Sequence, residues 1–390
     1  MNINQQLSLL RRGVAEIVPE SELIAKLETG RPLRVKLGVD PTAREVTLGW
    51  AVVLRKLRQF QDCGHEACLI MGDFTAQVGD PTGKSRTRRQ LTPDQVRANA
   101  EACLSQLFKI LDQSKTSVFY NADWLANMTL AEVVNLGAQY TVARLLERDD
   151  FARRLAEQKP LYVHEILYPL LQGRDSVEIR ADVELSGTDQ KFNNLVGREL
   201  QREAGQEPQV VLLMPLLVGT DGVDKMSQSL GNYIGINDAP FDMFGKVMSI
   251  PDQALRSYFE LCTDVSLDQV AVLLAGHPME AKQRLARELV TLYHSPNAAT
   301  AAQAEFERVF SQHSAPTEIP DVIVETSPLW IVDLLRQAFG VTGNEARRLI
   351  QQGGVEIDGA VVINEKAQVA VSEGGVLRAG KRRFARIIYR

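Results

Sequence analysis

The sequence predicts an α/β fold: a mainly parallel sheet with helices on both faces, then an α-helical domain, then a small C-terminal α+β domain. Three observations lead there. In the first half, short apolar runs alternate with stretches of helical periodicity, as in strand–helix–strand units. After Ile236 the pattern is helical alone. From Leu329 onward, two helical segments precede short strands and turn signals.

Each element follows from its own residues. Leu33 to Val39 reads as a strand, Ala51 to Cys63 as a helix and Ala67 to Met71 as a buried strand. Val210 to Val218 is an apolar run broken by Pro215. A helical insertion is expected at about 121–165. Its apolar stripe, from Leu125 to Leu136, faces either the sheet domain or a dimer partner. Further helices are expected at 244–248, 266–275, 279–294 and 298–310. Residues 313–328 hold Pro316, Pro320 and Pro328 among Ser and Thr and read as a linker. An amphipathic helix (Trp330 to Phe339) and a capped helix from about Thr342 then open the last domain. The expected domains are 1–236, 237–312 and 329–390.

The chain has 390 residues, 45% hydrophobic and 24% charged, which excludes wholesale disorder. No apolar run approaches the roughly 18 residues that span a bilayer, and Met1 to Arg12 lacks a signal pattern. No membrane partner is expected, and the protein reads as cytoplasmic. Cys63, Cys68, Cys103 and Cys262 have neither disulfide-framework nor metal-ligand spacing and read as reduced thiols, with no metal site. The net charge of −5 hides an asymmetry. Residues 330–390 carry ten basic and six acidic side chains, so the rest of the chain carries −9. A basic tail on an acidic body points to a polyanion contact.

Four segments carry candidate chemistry. Gly38 to Ala43, followed by Leu48-Gly49-Trp50, is a strand end turning into a helix, whose N-terminus suits a phosphate. Gly72 to Ser85 is a polar, glycine-rich loop. Its Gly83-Lys84-Ser85 ending is not a phosphate loop, because Gly79 lies only four positions before Gly83 where that motif needs five. Asp80 is available there for an ammonium group. Tyr168, Gln172 and Asp175 have i, i+4, i+7 spacing and share one helix face; they suit a small polar ligand. Lys225 to Asn232 is a Gly-, Ser- and Asn-rich loop whose lysine can reach a phosphate.

In order and spacing, these segments resemble bacterial tyrosyl-tRNA synthetases over essentially the whole chain. Val35 to Thr42, Gly72 to Thr75, Gly79-Asp80-Pro81, Tyr168 to Asp175, Gly187 to Gln190 and Lys225-Met226-Ser227 carry the likeness. The tail, with Asn344 to Ile350 and Val355 to Gly359, resembles the family's S4-type RNA-binding domain. The resemblance implies a Rossmann-like catalytic domain, a helical anticodon-binding domain, an S4-like domain and a homodimer. It also implies ATP with Mg2+, tyrosine and tRNA as reactants. By matching position, Asp175 reads the phenol hydroxyl. Asp80, Tyr168 and Gln172 surround the ammonium, Gln190 lies by the carboxyl group, and Lys36 and Arg174 join the amino-acid pocket. Asp40, Gly49, Gly187, Asp189, Met226 and Ser227 match the nucleotide side, with Asp189 at the ribose. Thr42 lies near the leaving pyrophosphate, and Thr42, Thr47, Trp50, Lys225 and Gln228 form the catalytic set. Arg347, Arg348, Lys381, Arg382 and Arg383 face RNA.

The departures fall on the catalytic signatures. The family's His-x-Gly-His is Thr47-Leu48-Gly49-Trp50 here, and its Lys-Met-Ser-Lys-Ser is Lys225-Met226-Ser227-Gln228-Ser229. Arg174 and Ser186 stand where the family has Tyr and Gly. Adenylate formation depends on charge stabilisation and positioning, so three missing donors predict weakened chemistry. The leading expectation is a diverged paralogue that holds tyrosine or a similar acid and tRNA, with ATP adenylation weakened or lost. The alternatives are a working tyrosine–tRNA ligase and a non-catalytic RNA-binding regulator.

Overall fold

The computed structural model describes residues 1–42, 44–82, 92–311, 319–370, 374–380 and 383–390. Contacts divide it into two units, Met1–Ala299 and Thr300–Arg390. The first begins α1 (Ile3–Arg11), β1 (Glu16–Val18), α2 (Glu20–Glu28), β2 (Arg34–Val39), α3 (Leu48–Asp62), β3 (Glu66–Met71), α4 (Thr75–Val78), α5 (Pro93–Leu107) and β4 (Thr116–Tyr120). Four short helices follow: α6 (Ala122–Leu125), α7 (Leu130–Ala138), α8 (Val142–Leu145) and α9 (Asp149–Ala156). Then come α10 (Val163–Glu178), β5 (Val183–Gly187), α11 (Lys191–Glu203) and β6 (Val210–Met214). Helices α12 (Pro240–Met248), α13 (Leu255–Cys262), α14 (Leu267–Ala275) and α15 (Pro278–Tyr293) complete it, and α16 (Pro296–Ser311) runs across the division.

The sheet order is β1-β6-β5-β2-β3-β4. All neighbours are parallel except β1 and β6. The winding direction reverses between β2 and β5, which is where open α/β sheets bind ligands, outside the carboxyl ends of the strands. Strands β3 and β6 are buried throughout or nearly so, which explains their unbroken apolar runs. The run from Val210 stops as a strand at Met214, before Pro215, which has no N–H for a ladder.

Two close approaches set the geometry around the cleft. A Cβ on Gly173 would lie 3.2 Å from the Gly197 Cα, so glycine on both helices lets α10 and α11 touch. A Cβ on Gly72 would lie 2.0 Å from Asp40 Oδ1, so only glycine leaves room for that carboxylate.

The apolar stripe after residue 121 divides. Leu125 and Leu136 join a core with Leu170, Leu171 and Val196, whereas Leu130 and Val134 are exposed. The end of α13 is tied to the start of the chain: Arg12 donates to the carbonyls of Thr263 and Val265 at 3.2 and 2.6 Å. Among the described residues no helix is long and apolar enough to cross a membrane.

In the second unit, β7 (Asp321–Val324), β8 (Leu329–Trp330), α17 (Ile331–Phe339), α18 (Gly343–Gln351), β9 (Val355–Ile357), β10 (Ala360–Val361), β11 (Gln368–Val369), β12 (Val376–Ala379) and β13 (Arg383–Tyr389) follow in order. A five-stranded sheet, β10-β9-β12-β13-β7, shares a core with both helices. Thr342 caps α18 by accepting the Glu345 N–H at 3.2 Å. The linker expected over 313–328 is corrected at its C-terminal part: β7 lies inside it, parallel to β13. Val322 and Val324 alternate inward between exposed neighbours, a strand pattern that the flanking prolines had masked.

Candidate functional site

A cleft of about 1490 Å³ opens at the carboxyl ends of β2 and β5. It exceeds the roughly 300–1,000 Å³ typical of a site for one drug-sized ligand. Asp40 and Thr42 after β2, Asp80 after α4, the inner face of α10, Gly187 at the end of β5, and Asp189 and Gln190 after it line the cleft. The loop from Lys225 to Ser229 forms another wall.

At one end a hydrogen-bond chain connects Tyr168 to Asp175. The Tyr168 hydroxyl donates to Asp40 Oδ2 at 2.8 Å, and Thr75 Oγ1 donates to Asp40 Oδ1 at 2.7 Å. The buried Asn121 amide donates to Thr75 at 3.0 Å and reaches Asp175 Oδ2 at 3.3 Å. Trp124 Nε1 donates to Asp175 Oδ1 at 2.9 Å. Burial pushes the Asp175 carboxyl up to about 7, against the opposing pull of Lys36 and of these donors. Burial and the neighbouring Asp40 carboxylate hold the Tyr168 phenol well above its ordinary value. Asn121 and Trp124 were not among the expected site residues. Their only sequence signal was a polar and an aromatic residue at the mouth of β4, a strand that periodicity did not reveal.

Further along, Gln190 donates to Asp80 Oδ2 at 2.8 Å and accepts from Asn193 at 2.9 Å. Gln172 also accepts from Asn193, at 3.0 Å, and donates to Asn194 at 3.1 Å. Thr82 donates to Asp80 Oδ1 at 2.6 Å. The amides are thus fixed by one another before any ligand arrives.

At the other end Thr47 is buried and caps α3, its hydroxyl accepting the Trp50 N–H. Trp50 lines the cleft and is 40% exposed. The Gly49 N–H donates to Met226 Sδ at 3.3 Å, and the Ser227 N–H donates to Asn232 Oδ1 at 2.8 Å. Lys225 pairs with Asp189 at 2.8 Å, and Gln228 donates to the Glu45 carbonyl.

Two expected pocket residues are corrected. Lys36 is fully buried and does not line the cleft. It pairs with Glu184 at 2.8 Å and donates to the Gln172 carbonyl and Ser176 at 3.0 and 2.7 Å. Arg174 does not line the cleft either; it pairs with Glu178 rather than Asp175. Consecutive helix positions point roughly 100° apart, so the neighbour of Asp175 faces outward while i, i+4 partners meet.

In the second unit Arg348 is exposed, Arg347 lies over the Trp330 ring at 5.7 Å, and Arg383 pairs with Glu345 at 2.9 Å. The last contact joins the start of β13 to α18. Lys381 and Arg382 lie outside the described residues.

An open, mainly parallel sheet with a cleft at the point where its strand order reverses defines a doubly wound α/β architecture. The family model "tRNA synthetases class I (W and Y)" matches residues 28–311, and the chain belongs to that family. Within it, the chain is a member of the bacterial tyrosyl-tRNA synthetases. It is 55% identical over 396 residues to the tyrosine–tRNA ligase of Moorella thermoacetica, covering 99% of this chain and 96% of that one. With the tyrosine–tRNA ligase of Syntrophotalea carbinolica it shares 51% identity over 400 residues, covering 99% and 98%. The solved tyrosyl-tRNA synthetase of Archaeoglobus fulgidus, complexed with L-tyrosine, matches with a TM-score of 0.65 at 24% identity, over 77% of this chain and 100% of that one, a likeness of fold.

Proposed function

We propose that the protein is a working tyrosine–tRNA ligase whose nucleotide end carries neutral groups in place of part of its cationic clamp. The carrying observation is the pre-organised pocket around Asp175, in a chain about half identical to tyrosine–tRNA ligases along nearly its whole length. Asp175 accepts the substrate phenol O–H. A site whose buried carboxylate needs that donor rejects analogues without it; tyrosyl-tRNA synthetases are themselves the standing example of this rule. The Tyr168 hydroxyl donates to Asp40, so its lone pairs face an ammonium that Asp80 and Gln172 also receive. Gln190 adjoins the carboxylate.

The chemistry needs no nucleophile from the protein. An oxygen of the tyrosine carboxylate attacks the α-phosphorus of ATP, the bond to the bridging oxygen breaks, and pyrophosphate leaves with the electron pair. A terminal hydroxyl of tRNA then attacks the mixed anhydride and releases AMP. Asp189 and Gly187 receive the ribose, and Asp40, Gly49, Met226 and Ser227 border the nucleotide. Lys225, Thr42 and Thr47 face the phosphates. Magnesium is held largely by substrate phosphates in such sites. The exposed Arg348, with Arg347 and Arg383, supports an RNA contact through phosphate neutralisation.

A second reading, the diverged paralogue with adenylation weakened or lost, is favoured by one feature. Thr47 is engaged in capping, Trp50 offers an indole, and Gln228 is an amide bound to a backbone carbonyl. Removing one preorganised donor costs about 10²–10³ in rate, and such losses do not simply multiply. Tyrosine-dependent exchange of pyrophosphate into ATP separates the readings. Exchange supports the ligase; tight tyrosine binding without exchange supports the paralogue. Retained tRNA binding without tyrosine binding would instead indicate an RNA-binding regulator.

A further inference from the structure

The loop from Lys225 to Gly231 is fastened across the cleft it borders. Gln228 Nε2 donates to the backbone carbonyl of Glu45, and the Tyr233 hydroxyl donates to the Glu45 carboxylate at 2.8 Å. On the far side, Lys225 pairs with Asp189 at 2.8 Å. Asn232, 5% exposed, braces the base of the loop: it accepts the Ser227 N–H at 2.8 Å and donates to Asp221 at 2.7 Å and to the Lys225 carbonyl at 3.2 Å.

Gln228 is thus engaged with the protein's own backbone, on the turn that leads into Thr47 and Trp50. Only a donor satisfies that carbonyl. We propose that Gln228 is a positioning residue, a latch that holds the 225–231 loop down on the β2–α3 turn before any ligand is bound. Nucleotide then enters by displacing Lys225 from Asp189, and the Gln228–Glu45 contact, by holding the loop down, slows both its entry and its exit. Only this second part rests on the reading that this end of the cleft takes a nucleotide.

The latch is tested by amide hydrogen exchange on the full-length, ligand-free protein. Gln228→Glu cannot donate and sets a carboxylate against the carbonyl; Gln228→Lys restores a donor. A net hydrogen bond corresponds to about 3–10-fold in an opening equilibrium. The N–H groups of Ser227, Leu230 and Gly231, which are hydrogen-bonded within the loop, are expected to exchange about 3–10-fold faster in Gln228→Glu. They should stay near wild type in Gln228→Lys, with β3 unchanged in both. Equal loop exchange in wild type and Gln228→Glu overturns the latch. Should Gln228→Glu loosen β3 as well, Gln228→Ala carries the same test without the added charge. Stopped-flow ATP binding followed by intrinsic tryptophan fluorescence gives the second arm. Gln228→Ala is expected to raise the association and dissociation rates about 3–10-fold, and unchanged rates would overturn the gating role. A wild type that gives no ATP signal would overturn the nucleotide reading, and the exchange arm would still decide the latch.

Discussion

Trp124 on α6 and Asp175 on α10 meet side chain to side chain, the indole N–H donating to Oδ1 at 2.9 Å. With Asn121 reaching Oδ2 at 3.3 Å, the carboxylate is aimed before the substrate arrives. Trp124→Phe keeps the ring and removes the donor. Hydrogen bonds to charged groups are worth about 1.5–3 kcal/mol, so tyrosine affinity should fall tenfold or more. Calorimetric titration with tyrosine checks it; unchanged affinity would mean that the indole does not orient Asp175.

The same carboxylate sets a pH dependence. In the proposed function its ionised form accepts the phenol O–H, and burial lifts its titration to about 7. Tyrosine binding should therefore strengthen as pH rises through 7. Stability runs the opposite way. A group whose folded pKa lies above its unfolded value contributes stability below the unfolded value and loses it as pH rises through the folded one. The ligand-free protein should lose thermal stability through about pH 7, and Asp175→Asn should flatten that loss while weakening tyrosine binding. Thermal melts across this range, with and without tyrosine, read both signs.

Lys36 and Glu184 form an ion pair at 2.8 Å with both side chains essentially inaccessible. Removing one member of a buried pair leaves the other uncompensated, at about 3–5 kcal/mol. Lys36→Met should lower denaturant stability by about that much and, because Lys36 also pulls the Asp175 carboxyl down, move the onset of tyrosine binding to higher pH. A raised KM with unchanged stability would return Lys36 to the pocket.

The neutral groups at the nucleotide end are the reason for expecting slow adenylation. Thr47→His, Trp50→His and Gln228→Lys together should raise tyrosine-dependent exchange by about 10²-fold or more, since each preorganised donor carries roughly that much alone. Flat exchange after the triple change would place the limitation elsewhere.

Much of this was legible in the residues. The β2, α3 and β3 segments announced themselves by apolar runs and helical periodicity, and Tyr168, Gln172 and Asp175 by their shared helix face; all three line the cleft. What spacing could not give was partnership. Lys36 and Arg174 sat in the right motifs, but Glu184, the partner of Lys36, became apparent only once β2 and β5 were packed, whereas Glu178 stands four residues after Arg174 on α10, a spacing the sequence already held. Asn121 and Trp124 stayed hidden because β4 is half-buried throughout and shows neither a clean alternation nor a long apolar run.

The most direct test is pyrophosphate exchange into ATP by the unmodified protein, with and without tyrosine. A whole phenol-reading pocket joined to a cleft that still takes ATP predicts exchange that requires tyrosine and is not supported by phenylalanine. Saturable tyrosine binding with no exchange at any ATP concentration would contradict it.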